Sequence, residues 1–213
     1  VSFQVIGKAT PLIDAVDKVT GRAKYTDDIR LARPLIVRIL RSPHASADIK
    51  ALDASAASVF PGVKAVLTGR DFLHTFGVLP ISKDEPVMAR ERVRYVGEPV
   101  AAVAAETEAA ALQALKEIRI EYALTKAVLN PKEALRDTDS PIHPELGKTS
   151  NRHKTAAQSF GDIEEGFRGA ESVVEGAFDF QSITHAFTEP HATQVEWSGD
   201  NLTVYSATQV PHY

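Results

Sequence analysis

Seven histidines are the first candidates for chemistry in this 213-residue chain. In Thr184-His185-Ala186-Phe187-Thr188-Glu189-Pro190-His191, two imidazoles flank a carboxylate, a donor set that suits zinc or non-haem iron. The spacing matches no compact ligand signature, however, and the segment reads as strand and turn. The expectation is no metal site, with His185, Glu189 and His191 serving as buried, hydrogen-bonded polar groups at a domain boundary. His44, in Arg41-Ser42-Pro43-His44-Ala45, follows a strand end, where catalytic groups often sit. A turn histidine bonded to the local backbone is the expected role. The chain contains no Gly-x-Ser-x-Gly elbow, phosphate loop or dinucleotide fingerprint. Gly97-Glu98-Pro99 enters a strand rather than a helix, so it is no phosphate loop. These motifs alone assign no catalytic residue.

Composition narrows the class. Hydrophobic residues at 44% supply a core, and 24% charged residues make an ordinary surface. A net charge of −4 leaves no basic footprint for nucleic acid or an acidic membrane. Runs of the roughly 18 apolar residues that a membrane helix needs are absent from the sequence. Zero cysteines exclude disulfides, thiolate catalysis and cysteine-held iron–sulfur clusters in this chain. With no signal-peptide pattern at Val1-Ser2-Phe3-Gln4-Val5, a cytoplasmic location is the expectation.

The elements that must position any site are organised around Arg94-Tyr95-Val96-Gly97-Glu98-Pro99 and the run 100–105. This reads as a turn feeding a strand covered on both faces, with alanines that let neighbouring backbones approach. Strands are predicted at 35–40, 47–53 and 63–68, with a short helix between the last two. Asp53 or Ser55 caps that helix, and Ala56, Val59 and Phe60 form its apolar edge. A helix over 108–117 follows the central strand, with Ala111, Leu112, Leu115 and Ile118 on one face. The alternation at 118–122 then predicts a half-exposed strand. Two β–helix–β units thus point to an α/β domain over 34–129 built on a βαβ layer.

Residues 1–33 read as an arm laid on another surface, and 130–160 as a polar linker. Residues 70–92 read as a long connection; its apolar stretch 76–81, too punctuated by glycine and proline for regular structure, is expected to pack down, a funnel wall or a subunit contact being the alternatives. Strands at 172–180, 192–197 and 202–208 close the chain, the last two joined by a turn at Ser198-Gly199-Asp200-Asn201.

Several stretches in order carry a resemblance. Lys18-Val19-Thr20-Gly21-Arg22-Ala23-Lys24-Tyr25-Thr26-Asp27-Asp28-Ile29, Arg41-Ser42-Pro43-His44-Ala45, Val93-Arg94-Tyr95-Val96-Gly97-Glu98-Pro99-Val100-Ala101 and Ser206-Ala207-Thr208-Gln209 resemble landmarks of one family. It is the molybdenum-binding subunits of the xanthine dehydrogenase/aldehyde oxidase family. Within it, residues 76–81 and 209–213 look most similar to the 4-hydroxybenzoyl-CoA reductase alpha subunit.

The resemblance implies an α/β (α+β) fold: a hammerhead domain, then from about 161 the truncated start of a molybdopterin-binding domain. It implies a molybdenum–molybdopterin cofactor in the full-length subunit, with none bound by this chain. Gln209 matches the family glutamine whose amide lies against a molybdenum oxygen ligand, a neutral donor that stabilises developing oxygen charge. The family's glycine-rich cofactor loop and C-terminal catalytic glutamate are absent, so the expectation is an N-terminal fragment of an oxidoreductase subunit, inactive alone. Its expected partners are the remainder of that subunit, flavin and iron–sulfur subunits or domains, and a second copy covering exposed strands near 192–209. Neither nucleic acid nor membrane is expected. The alternative is a stand-alone hammerhead module for interaction or assembly, with its strand edges paired.

Overall fold

The computed structural model describes residues 3–77, 83–147 and 149–210. They fall into two compact units, residues 33–177 and residues 1–32 with 178–213.

In the larger unit the central strand β7 (Pro99–Ala105) lies between β1 (Ile36–Arg41) and β3 (Val63–Thr68). A second sheet has β2 (Ala47–Asp53) between the two-residue β6 (Arg92–Val93) and β8 (Arg119–Leu124). Every one of these pairings is antiparallel. This corrects the βαβ-layer expectation. Each β–helix–β unit steps from one sheet to the other, so its two strands never pair with each other. Helix α2 (Ser55–Ser58) joins β2 to β3, and α3 (Glu108–Lys116) joins β7 to β8.

The alanines of β7 do what their size allows. Ala101, Val103 and Ala105 are fully buried against Ala111 and Ala114 of α3 and Ala57 of α2. Small side chains on all three elements bring helix and sheet close. Val100 instead packs with Ala47, Ala89 and Val93, tying the two sheets together. The α3 face differs from the expected one in one position: Ala114 is buried and Leu112 stays 44% exposed. In α2 the buried residue is Ala57, with Ala56 and Val59 exposed. Ionic and capping ties finish α3, where Thr107 Oγ1 accepts from Ala110 N at 3.2 Å. Glu108, in the first turn, pairs with Arg38 of β1 at 2.6 Å.

The connection 70–92 holds a short ladder of β4 (Thr75–Phe76) and β5 (Glu85–Pro86), where the sequence predicted no regular structure. Phe76 is half exposed; residues 78–81 of the proposed packing loop lie outside the described residues. Beyond β8 come a single turn, α4 (Pro131–Ala134), capped by Asn130, and α5 (Ile163–Gly169), capped by Asp162.

In the smaller unit β9 (Thr193–Ser198) and β10 (Asn201–Ser206) form a hairpin turning at Gly199, whose φ of +61° suits glycine. Residues 172–180 form no strand, a second correction, and leave Val174, Phe178 and Phe180 exposed. Their apolar alternation has no neighbour to pair with among the described residues. The arm carries α1 (Ala15–Val19) and a turn at Thr26–Asp28 that packs on β9.

Candidate functional site

Gln209, the one site residue carried over by resemblance, lies just past β10 and is exposed. Backbone bonding continues briefly beyond the strand. Ala207 N donates to Ala192 O at 3.0 Å, and Val210 N donates to Thr208 Oγ1 at 3.4 Å. Residues 211–213 of its motif lie outside the described residues.

The histidine-rich stretch resolves into structural contacts. Glu189 Oε1 accepts from Thr26 N at 3.4 Å, and the rings of Phe187 and His191 stack with centroids 4.3 Å apart. Ala186 takes a φ of +49°, uncommon for a residue with a Cβ. Among the described residues no three His, Cys, Asp or Glu side chains come together as a metal would require. Contrary to the expected burial, His185 and His191 are exposed and Glu189 is half-buried.

His44 has the predicted turn geometry. Its N donates to Ser42 Oγ, and Ser42 Oγ donates to its carbonyl, each at 3.0 Å. Its ring meets Tyr122 edge-on at 4.9 Å. Burial pushes the Tyr122 phenol upward in pKa, and its hydroxyl has no hydrogen-bond partner among the described residues.

The Gly97 turn is a knot of polar contacts. Ser42 N donates to Glu98 O at 2.9 Å, Gly97 N to Ser42 O at 2.8 Å, and Arg41 Nη1 to Gly97 O at 2.9 Å. The buried Glu98 carboxylate accepts from Arg94 N and from Arg94 Nη1, the latter at 3.4 Å. Arg94 Nη2 reaches Glu145 Oε1 at 2.7 Å, and His143 Nδ1 meets the same oxygen at 2.9 Å. Burial opposes ionisation of Glu145, but His143 and the Arg94 guanidinium outweigh it and hold its carboxyl below the usual range. Sequence reasoning missed this chain of charges. The one available signal was a lone Glu98 in an otherwise apolar entry to a buried strand.

Beside it lies a cavity of about 400 Å³, whose lining includes Ser46, Arg92, Arg94, Thr125, Lys126 and Ile142. Its cations are already engaged: Arg92 with Asp48 at 2.9 Å and Lys126 with Asp137 at 2.6 Å. That arrangement holds structure together and presents no reactive group.

Two family models match the chain in succession. The aldehyde oxidase and xanthine dehydrogenase a/b hammerhead domain matches residues 20–126, and the molybdopterin cofactor-binding domain matches residues 142–213. The chain belongs to the xanthine dehydrogenase/aldehyde oxidase family of molybdenum-binding subunits. It is 34% identical to the nicotinate dehydrogenase large molybdopterin subunit of Eubacterium barkeri, over 99% of this chain and 49% of that protein. It is also 34% identical to the nicotine 6-hydroxylase large subunit of Paenarthrobacter nicotinovorans, over 100% of this chain and 27% of that protein. The crystal structure of quinoline 2-oxidoreductase from Pseudomonas putida 86 superposes with a TM-score of 0.79 at 28% identity. That match covers 95% of this chain and 27% of the other. The chain therefore spans between about a quarter and a half of these relatives, and its fold is a hammerhead domain followed by the start of a molybdopterin-binding domain.

A pterin dithiolene supplies sulfur to its own metal, so the lack of cysteine is no obstacle to that cofactor. The phosphate that molybdopterin bears is a stricter test. From residue 169 onward the chain has six acidic residues and no Lys or Arg. Gln209 offers one exposed amide and no enclosing cradle. The described residues from 169 onward do not by themselves fit the group; the cations of the cofactor-domain match, Lys148, Arg152, Lys154 and Arg168, all precede them.

Proposed function

We propose that this chain supplies the hammerhead domain and the leading strands of the cofactor domain to a molybdenum-dependent oxidoreductase acting on an aromatic ring. The observation that carries the reading is the consecutive match of both family models along one chain. In such a subunit Gln209 would help hold the cofactor as a neutral amide donor to oxygen, and further parts of the subunit would supply the remaining contacts. Iron–sulfur and flavin subunits or domains take the electrons onward, in keeping with a chain that has no cysteine. Alone, the chain binds no molybdenum and turns nothing over.

Two ring chemistries compete for the substrate. The likeness of residues 76–81 and 209–213 favours reductive removal of a phenolic hydroxyl from an aryl-CoA thioester, as in 4-hydroxybenzoyl-CoA reductase. The relatives' names favour hydroxylation of a nitrogen heteroaromatic: nicotinate, nicotine and quinoline all contain such rings. We take ring hydroxylation as the leading reading, because it rests on matches over more than nine-tenths of the chain.

The test uses the enzyme assembly that contains this chain, assayed with nicotinate, nicotine and quinoline plus an electron acceptor, and with 4-hydroxybenzoyl-CoA plus a reductant. Oxygenated heterocycle as product supports hydroxylation, and benzoyl-CoA supports the reductase. Turnover of neither class, with no molybdenum in the assembly, would leave a structural module and overturn both. Gln209→Ala in the assembly should lower kcat by about 10²-fold, the usual effect of losing one oxyanion donor.

A further inference from the structure

Residues 137–147 form a loop closed on itself by one side chain. Asn151 Oδ1 accepts from Ile142 N at 2.8 Å, while Asn151 Nδ2 donates to Ser140 O at 3.2 Å and Asp137 O at 3.5 Å. Asp137 Oδ1 adds bonds from Asp139 N at 2.9 Å and Ser140 N at 3.0 Å.

The ties from this loop to the hammerhead strands are of a different kind. At one end Lys126, just past β8, meets Asp137 at 2.6 Å, and at the other Arg94, just past β6, meets Glu145 at 2.7 Å. Further along, His153 Nδ1 lies 4.0 Å from Asp84. Between the ionic ties sits the cavity of about 400 Å³, with Ser46, Arg92 and Thr125 on the strand side and Ser140 and Ile142 on the loop side. The loop is thus bonded to itself and pinned at its edges by charge, with the cavity between it and the strands and none of residues 137–147 fully buried.

Segments with little buried apolar contact open at far lower free energy than core strands. Ion pairs reached by solvent weaken as salt screens them. We propose that residues 137–147 are a releasable strap, latched over the cavity by the Lys126–Asp137 and Arg94–Glu145 pairs. Opening the latch unfolds the strap as one unit and uncovers the cavity and the Arg94 guanidinium. The strap starts after the hammerhead match, which ends at 126, and runs across the start of the cofactor-domain match at 142, and the Lys126–Asp137 pair ties it back to the end of the first.

The test is residue-resolved amide exchange by NMR on the full chain at about 0.02 M and about 0.5 M salt, where the screening lengths differ roughly fivefold. Rates are taken relative to those of an unstructured peptide in the same buffers. The Ile142 and Ser140 amides should exchange at least threefold faster at high salt, and the β7 amides should not change. Glu145→Gln should reproduce the acceleration at low salt and blunt the further effect of salt. Asn151→Ala should accelerate the same amides yet leave their salt response in place, because it breaks the strap and spares the latch. Salt-independent exchange of Ile142 in the native chain, or acceleration shared equally by β7, would overturn the proposal.

Discussion

The side-chain amide of Gln194, on β9, donates to the carbonyl oxygens of Thr26 at 2.5 Å and Ile29 at 3.0 Å. One residue near the end of the chain thereby holds both ends of the turn in the N-terminal arm. The clasp closes on Thr26-Asp27-Asp28-Ile29 and is reinforced by Glu189 at the Thr26 amide. Gln194→Leu keeps the volume and removes both bonds. It should destabilise the smaller unit by about 1–3 kcal/mol, chiefly the cost of leaving the Ile29 carbonyl without its donor. The check is exchange of the Ile29 amide, which donates to Thr26 O at 3.3 Å and should lose protection. Gln194→Glu sets a carboxylate against the same carbonyls and should be worse than leucine.

Two glycines separate conformational from steric necessity. Gly97 has a φ of +93°, and an added Cβ would meet nothing within 4 Å. Gly97→Ala should therefore cost only the backbone strain, about 1 kcal/mol. Gly69 has no positive φ, yet a Cβ there would come within 2.3 Å of Ala89 O and 2.9 Å of Met88 O. Backbone cannot move aside as a flexible side chain does, so Gly69→Ala should cost more, roughly 1–3 kcal/mol. Urea denaturation of both variants checks the order, and a larger loss for Gly97→Ala would refute it.

The sequence made the strands and helices of the larger unit legible because their periods are local. The run 100–105 has no polar alternation and lies in the middle of a sheet; 118–122 alternates and lies at a sheet's margin. Pairing is not local, and there the reading failed. Nothing within β2, α2 and β3 says that the second strand joins another sheet, since both strands satisfy the same apolar pattern. Gly69 was invisible for a related reason: what it accommodates is a carbonyl twenty residues away in sequence, at Ala89. Residues 172–180 have strand character, but among the described residues nothing pairs with them. Of the candidate site, Gln209 was legible only through resemblance. Arg94 and Glu98 share the Gly97 turn, but Glu145 lies 51 residues beyond Arg94 and shares no motif with them.

Glu145 gives the strap a pH dependence whose sign is fixed. Its carboxyl is held below the ordinary 4.5, because the His143 bond and the Arg94 charge overcome burial. Between its folded and unfolded values the unfolded chain binds more protons, so the stability it contributes rises with pH. That contribution is complete above about 4.5 and is lost as pH falls through the lower, folded value. The melting temperature of Glu145→Gln should lie below that of the native chain at neutral pH, and the two should converge in the acid range below 4.5. A gap that is constant across this range would show that the carboxylate's charge is irrelevant.

Glu98 and Arg94 form a deeply buried ionic contact in the Gly97 turn, their side chains only 5% and 14% exposed. A carboxylate so deeply placed is tolerable only with its partners, which are the Arg94 backbone N–H and guanidinium. Arg94→Met leaves that charge buried with one bond and should cost about 3–5 kcal/mol. Glu98→Gln retains an acceptor for Arg94 N and removes the charge, and Arg94 still has Glu145, so its cost should be smaller. The double variant replaces an unpaired charge by a neutral amide beside an apolar chain. It should be more stable than Arg94→Met alone, with a coupling energy above about 1 kcal/mol in the denaturation cycle. Strict additivity of the two changes would mean that the pair is incidental and that the Ser42 backbone and the Arg41 guanidinium hold the turn by themselves.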